Sequence, residues 1–242
     1  MMLFLLACSG PEPAPPEMGE LTKYFWEQWD DEEAMQAAVE QLLVLTQDLD
    51  FEADVEERSH VVFGLDPEAV GDKVLHDNDP ADTVGAGVLH QTPFSIVDHF
   101  EYMWQQDQTP FEPSSDEFYQ RTFLDGSEEC IREQTCQVLL LNEVQRDTVL
   151  YTIRYDIHKQ FRWSGDALVG RSWNLDEAED GAVVLKQGYS LDIFVPNDSG
   201  TIRYHLSWQE TEPLDDEDIT GALMKGIDDL LTHHDAWLED NL

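Results

Sequence analysis

The chain has 242 residues, with 52 acidic against 13 basic side chains, a formal net charge of -39. That balance excludes nucleic-acid binding through a phosphate-facing surface, which needs clustered Lys and Arg. A hydrophobic content of 41% with 10% aromatic residues excludes an acidic disordered chain, because such chains lack the apolar surface to offset chain entropy.

In chain order, Met1 to Ala7 form an apolar run that ends at Cys8. Leu5-Leu6-Ala7-Cys8 resembles the lipobox of bacterial lipoproteins. The resemblance implies a signal peptide over 1–7, cleavage before Cys8 and a lipid on that cysteine. No Lys or Arg precedes Cys8, so the true start codon is expected upstream. Residues 8–19 contain Pro11-Glu12-Pro13-Ala14-Pro15-Pro16-Glu17, an extended tether. The expectation is a lipid-anchored protein of the bacterial cell envelope, on the outer membrane or cell surface, with one folded domain over 20–242.

Residues 20–49 carry Leu21, Phe25, Trp29, Met35, Val39, Leu42 and Leu43 at helical spacing, with a break at Asp30-Asp31-Glu32-Glu33 and Asp30 as the expected cap. His60 to Phe63 reads as a short strand and Asp66-Pro67-Glu68 as a helix start. Residues 77–87 are polar and Gly-rich, hence loop, and 92–107 reads as a helix. Strands are then predicted over 117–123, 136–144, 149–161, 168–175, 182–195 and 201–210, and a C-terminal amphipathic helix over 215–239. Tight turns between consecutive strands predict antiparallel pairing.

The predicted class is α+β: N-terminal helices, an antiparallel sheet of about six strands, and a long C-terminal helix packed on the sheet. Over 58–240 this element order resembles the helix-grip (START-like) fold, in which a curved sheet wraps the last helix. The resemblance implies an apolar cavity between sheet and helix. Tyr151, Tyr155, Tyr189, Tyr204 and Trp208, on the apolar faces of their strands, are core residues first and candidate lining for such a cavity second.

The remaining motifs point weakly to chemistry. Cys130 and Cys136 are an even pair expected to form a disulfide in an exported protein; free thiols and a zinc site are the alternatives. His233-His234-Asp235 looks like a metal triplet, but adjacent helical residues point about 100° apart and cannot share one ion. The acidic loops at 77–82 and 176–181 lack the ligand pattern of a calcium loop and read as solvated turns. His158 and His205, beside Arg154, Asp156 and Arg203, fall on polar strand faces and read as surface pairs or a small charged site. Arg146, Arg154, Lys159, Arg162 and Arg171 make 146–171 locally positive, suited to neutralising acidic helices packed beside it or to receiving an anionic ligand. There is no G-x-S-x-G motif, and Val84-Gly85-Ala86-Gly87-Val88 is an incomplete phosphate loop. No catalytic residue, metal or cofactor is predicted. The expected function is non-catalytic binding of an apolar ligand or an envelope partner. The alternatives are an interaction lipoprotein with a filled core, and a hydrolase whose site assembles only in space. A cleft holding a bonded His and carboxylate would mark the last.

Overall fold

In a computed structural model, residues 13–242 are described apart from 77, 114–117, 148–151, 181–182 and 215. Cys8 and Tyr151 therefore lie outside the described residues. Two helices open the chain, α1 (Met18–Glu27) and α2 (Glu32–Thr46), and the cap between them is Asp31 rather than Asp30. The Asp31 carboxylate accepts from the Ala34 amide at 3.0 Å, satisfying an orphan donor of the first turn. Strand β1 (Ser59–Phe63), helix α3 (Pro67–Val70), strand β2 (Val84–Thr92) and helix α4 (Ile96–Met103) follow. After β3 (Phe118–Asp125) and α5 (Glu128–Arg132) come β4 (Val138–Asp147), β5 (Thr152–Ser164), β6 (Ala167–Asn174), β7 (Ala178–Asp180), β8 (Val183–Asn197) and β9 (Gly200–Glu212). The chain closes with α6 (Asp216–Asn241).

Among the described residues, all nine strands belong to one antiparallel sheet in the order β1-β2-β9-β8-β6-β5-β4-β3, with β7 paired on β8. The sheet is thus larger than the sheet of about six strands expected from the sequence, and it takes in the short strand at His60 to Phe63. The clearest difference is β2, whose first four residues fall in the stretch 77–87 expected to be loop. Gly85 and Gly87 look like loop residues but sit in a buried strand because large rings cover them. A Cβ on Gly85 would lie 2.7 Å from the Ser207 carbonyl oxygen, and one on Gly87 would lie 2.7 Å from the Tyr204 ring.

Helices pack on both faces of the sheet. On the outer face, Leu21, Phe25 and Trp26 of α1 and Met35 and Leu42 of α2 pack with Tyr189, Leu191, Tyr204, Leu206 and Trp208 in one core cluster. Trp26 meets Tyr189 and Trp208 edge-on at 5.5 and 6.2 Å. The positive segment serves this layer in part. Arg162 pairs with Glu32 at 3.1 Å, and Arg171 lies 4.4 Å from the Trp29 ring. Beneath, Thr22 and His60 bond the Tyr204 hydroxyl at 2.5 and 2.6 Å, and burial pulls the His60 imidazole down to about 4.

The opposite, inner face carries α4 and α6. α6 is fastened to several elements by side chains between Asp228 and Asp235. Arg58 pairs with Asp228 at 2.5 Å, and His90 of β2 bonds Asp235 at 2.8 Å. His233 donates to the Pro110 carbonyl at 2.8 Å and His234 to that of Phe111 at 2.9 Å. The triplet His233-His234-Asp235 thus reaches three separate partners, as its angular spacing requires. The sheet holds the C-terminal helix in the manner of a helix grip. Among the described residues, no helix is long and apolar enough to cross a membrane, and no group of three or more His, Cys, Asp or Glu could hold a metal ion. Cys130 and Cys136 form a disulfide, with Cα atoms 5.5 Å apart, between α5 and the start of β4.

Candidate functional site

Between the inner face of the sheet and the N-terminal half of α6 lies a cavity of about 680 Å³. Its two walls differ in chemistry. The helix wall is largely apolar, from Ile219, Leu223, Ile227 and Leu230. The sheet wall carries Arg146, Tyr155, His205, Ser207, Gln209 and Thr211, with the apolar Ile153 and Leu185 at its β5 and β8 positions. A narrower extension of about 90 Å³ runs deeper over the sheet, past Tyr119, Asn142, Lys159, Ser172 and Ser190.

Strand alternation explains the polar wall. On β9, Tyr204, Leu206 and Trp208 turn to the outer core, so His205, Ser207 and Gln209 turn to the cavity. On β8 the register shifts between Leu185 and Gln187, and this bulge puts Leu185 on the cavity side while Gln187 and Tyr189 face outward.

At the floor, Asp192 of β8 stands opposite His205 of β9 in the ladder. Its carboxylate accepts from His205 Nδ1 and is ion-paired through its second oxygen to Lys159 Nζ at 2.5 Å. Burial alone would raise the Asp192 carboxyl; the charges and hydrogen bonds of His205 and Lys159 overcome that and hold it well below its ordinary value. An ionised carboxylate can only accept, so Nδ1 of His205 carries the proton, and Nε2 remains on the cavity side with no bonded partner among the described residues.

A second polar group lines the cavity on β4 and β5. Arg146 and Tyr155 are bonded side chain to side chain beside Tyr119. Burial raises both phenols, and the adjacent Arg146 and Arg121 charges pull the other way. Arg121 is itself fixed by Asn142 Oδ1 at 2.9 Å and by the Met103 carbonyl, which ties the inner end of the site to α4.

The five aromatic residues proposed as lining are placed as follows. Tyr155 lines the cavity. Tyr189 borders the inner extension, but its ring packs on Trp26 and its hydroxyl donates to Gln187. Tyr204 and Trp208 are on the other side of the sheet under α1, because that helix and α2 take the apolar face of β9. Tyr151 falls outside the described residues. The two strand histidines also separate: His158 turns to Trp173 at 5.7 Å, while His205 belongs to the cavity. Sequence reasoning missed Ser207 and Gln209 altogether. The available signal was charge. In a chain with 52 acids, the alternating positions Arg203, His205, Ser207 and Gln209 include none, unlike a solvated face.

No protein-family model matches the chain, and no curated protein matches it. Solved structures do. The chain is similar to a fragment of the STAR-related lipid transfer protein of Xanthomonas axonopodis, at 9% identity and a TM-score of 0.47, over 64% of this chain and 86% of that one. It is similar to a Thermus thermophilus protein at 12% identity and a TM-score of 0.44, over 64% and 96%. The lipid transfer and protein localization domain of human StarD13 gives 11% identity and a TM-score of 0.36, over 65% and 75%. These are likenesses of fold.

Proposed function

We propose that the chain is a binding protein that holds an apolar small molecule beneath its C-terminal helix. The observation that carries this reading is the cavity itself: about 680 Å³, walled on one side by the apolar stripe of α6. That volume lies within the range of small-molecule sites, and the cleft is open to solvent on one side, so a ligand can enter it. An interaction protein with a filled core has no need of it. Native mass spectrometry of the purified protein tests the reading. The expected result is a bound organic molecule of a few hundred daltons, released by denaturation; a bare chain that also fails to take up an added apolar probe would overturn it.

The His205–Asp192 pair is the one observation favouring the hydrolase alternative, since a carboxylate-oriented imidazole in a cleft is the geometry of a general base. Among the described residues, however, no serine or cysteine is hydrogen-bonded to His205. Binding is therefore the stronger reading. Turnover of aryl esters by the wild type, abolished in His205→Gln, would reverse that order.

We further infer a cell-envelope location, with a lipid on Cys8. Supporting it are Leu5-Leu6-Ala7-Cys8, the Pro-rich tether and a disulfide suited to an oxidising compartment. Labelling with a fatty-acid analogue should mark the wild type and not Cys8→Ser; label persisting in Cys8→Ser would count against it.

A further inference from the structure

The two walls of the cavity say more about the ligand than its size does. His205, Ser207 and Gln209 form a straight polar stripe along β9, at intervals of roughly 6.5 Å for alternate residues of a strand. Ser207 and Gln209 make no side-chain hydrogen bond among the described residues, and none is made by Nε2 of His205. Each keeps its hydrogen-bonding capacity for whatever lies above. Directly opposite are Leu223, Ile227 and Leu230, which offer none. A wholly apolar occupant would strip these polar groups of water without replacing their hydrogen bonds, a cost of a kind that discriminates strongly between ligands.

Charge narrows the class further. The cations around the cavity, Arg146, Lys159 and Lys225, are matched by the anions Glu112, Asp192 and Asp229, and Lys159 is already engaged with Asp192. The wall has no net charge to offer an ionic head, and the field of a chain at -39 opposes the entry of an anion.

We propose that the ligand is facially amphipathic: an elongated, uncharged hydrocarbon skeleton bearing hydroxyl groups along one edge, laid with that edge on His205, Ser207 and Gln209 and its apolar face on α6. This rests on the binding reading above and specifies the chemistry of the same site. His205 has a defined role in it. With Nδ1 donating to Asp192, Nε2 is left to hydrogen-bond a ligand hydroxyl, while Ser207 and the Gln209 amide can each donate or accept.

The test compares two neutral steroid esters with the same skeleton, methyl cholate, hydroxylated on one face, and methyl cholanate, which has no hydroxyls. Titration into the full chain, followed calorimetrically, should show methyl cholate bound at least about tenfold more tightly, the discrimination expected when a ligand satisfies polar groups that its analogue leaves unpaired. In the double variant Ser207→Ala, Gln209→Leu the ratio of the two dissociation constants, measured on one preparation, should fall toward one. Both exchanges add no volume to the cavity, and circular dichroism checks that the variant is folded. Equal binding of the two esters by the wild type overturns the proposal and leaves apolar binding intact. So does a wild type that binds the neutral probe N-phenyl-1-naphthylamine but neither ester. Tighter binding of the free cholate anion than of its methyl ester overturns the uncharged head. Failure of all the probes, the naphthylamine included, would instead bring down the binding reading itself.

Discussion

Asp192→Asn should be among the most destabilising nearly isosteric exchanges in this protein. The Asp192 side chain is 7% exposed and that of Lys159 15%, with 2.5 Å between the charged atoms. Asparagine preserves shape and can still accept from His205 Nδ1, so the exchange removes charge while leaving packing in place. It strands the Lys159 ammonium in a site it occupies only because a carboxylate is there. Breaking a buried pair from one side costs about 3–5 kcal/mol, and the residual exposure of Lys159 places this case near 3. Urea denaturation at pH 7 measures the loss as a lower midpoint at unchanged slope. Adding Lys159→Met should recover most of it, because the uncompensated charge is then gone. The acid limb gives a second reading. The folded-state carboxyl lies below its ordinary value of about 4, so its contribution is complete above that pH and is lost as the pH falls through the depressed folded-state value. Asp192→Asn should therefore lose less stability than the wild type on acidification below about pH 4. A loss under about 1 kcal/mol at pH 7, or a double variant as unstable as the sum of the singles, would refute the reasoning.

Three further outcomes are expected. Gly85→Ala should destabilise by about 1–3 kcal/mol in the same assay, since its Cβ meets the Ser207 backbone oxygen, which cannot move aside. His99 and His234 are buried near Arg203, and burial first, then that cation, holds both well below their ordinary value. Folded-state values below the unfolded one of about 6.5 mean full stability above that pH and a loss below it, so the melting temperature should drop from pH 7.5 to 5.0, and less steeply in His99→Phe. With a net charge of -39, the melting temperature should also rise with sodium chloride as the Debye length shrinks from roughly 30 Å at 0.01 M to 3 Å at 1 M; a flat series would show local compensation of the charge.

What was legible in the sequence followed from periodicity. The helical spacing of Leu21 and Phe25, the alternation through β9 and the apolar positions of α6 each led to the right element. The disulfide followed from an even pair of cysteines. Where the reading failed, a local signal had a non-local cause. Gly85 and Gly87 marked a loop by composition, but Trp208 and Tyr204, more than a hundred residues away, require glycine there. Alternation tells that the two faces of β9 differ, not which helices cover them. Tyr204 and Trp208, core residues first and candidate lining second, pack under α1 and α2, which carry the matching rings. The polar face of β9 reads as surface pairs or a small charged site around His205, and nothing local adds Ser207 and Gln209 to it. Asp192 was invisible because its partners, Lys159 and His205, come from two other strands.

The most direct test of the account is a titration with N-phenyl-1-naphthylamine, whose fluorescence rises in an apolar site. The wild type should bind it saturably, about one molecule per chain. A variant carrying Leu223→Trp and Leu230→Trp, which fills the cavity from α6 where both side chains line it, should bind at least about tenfold more weakly while remaining folded, as expected when the space for the ligand is taken. Undiminished binding in the filled variant would place the probe elsewhere and contradict the claim that this cavity is the binding site.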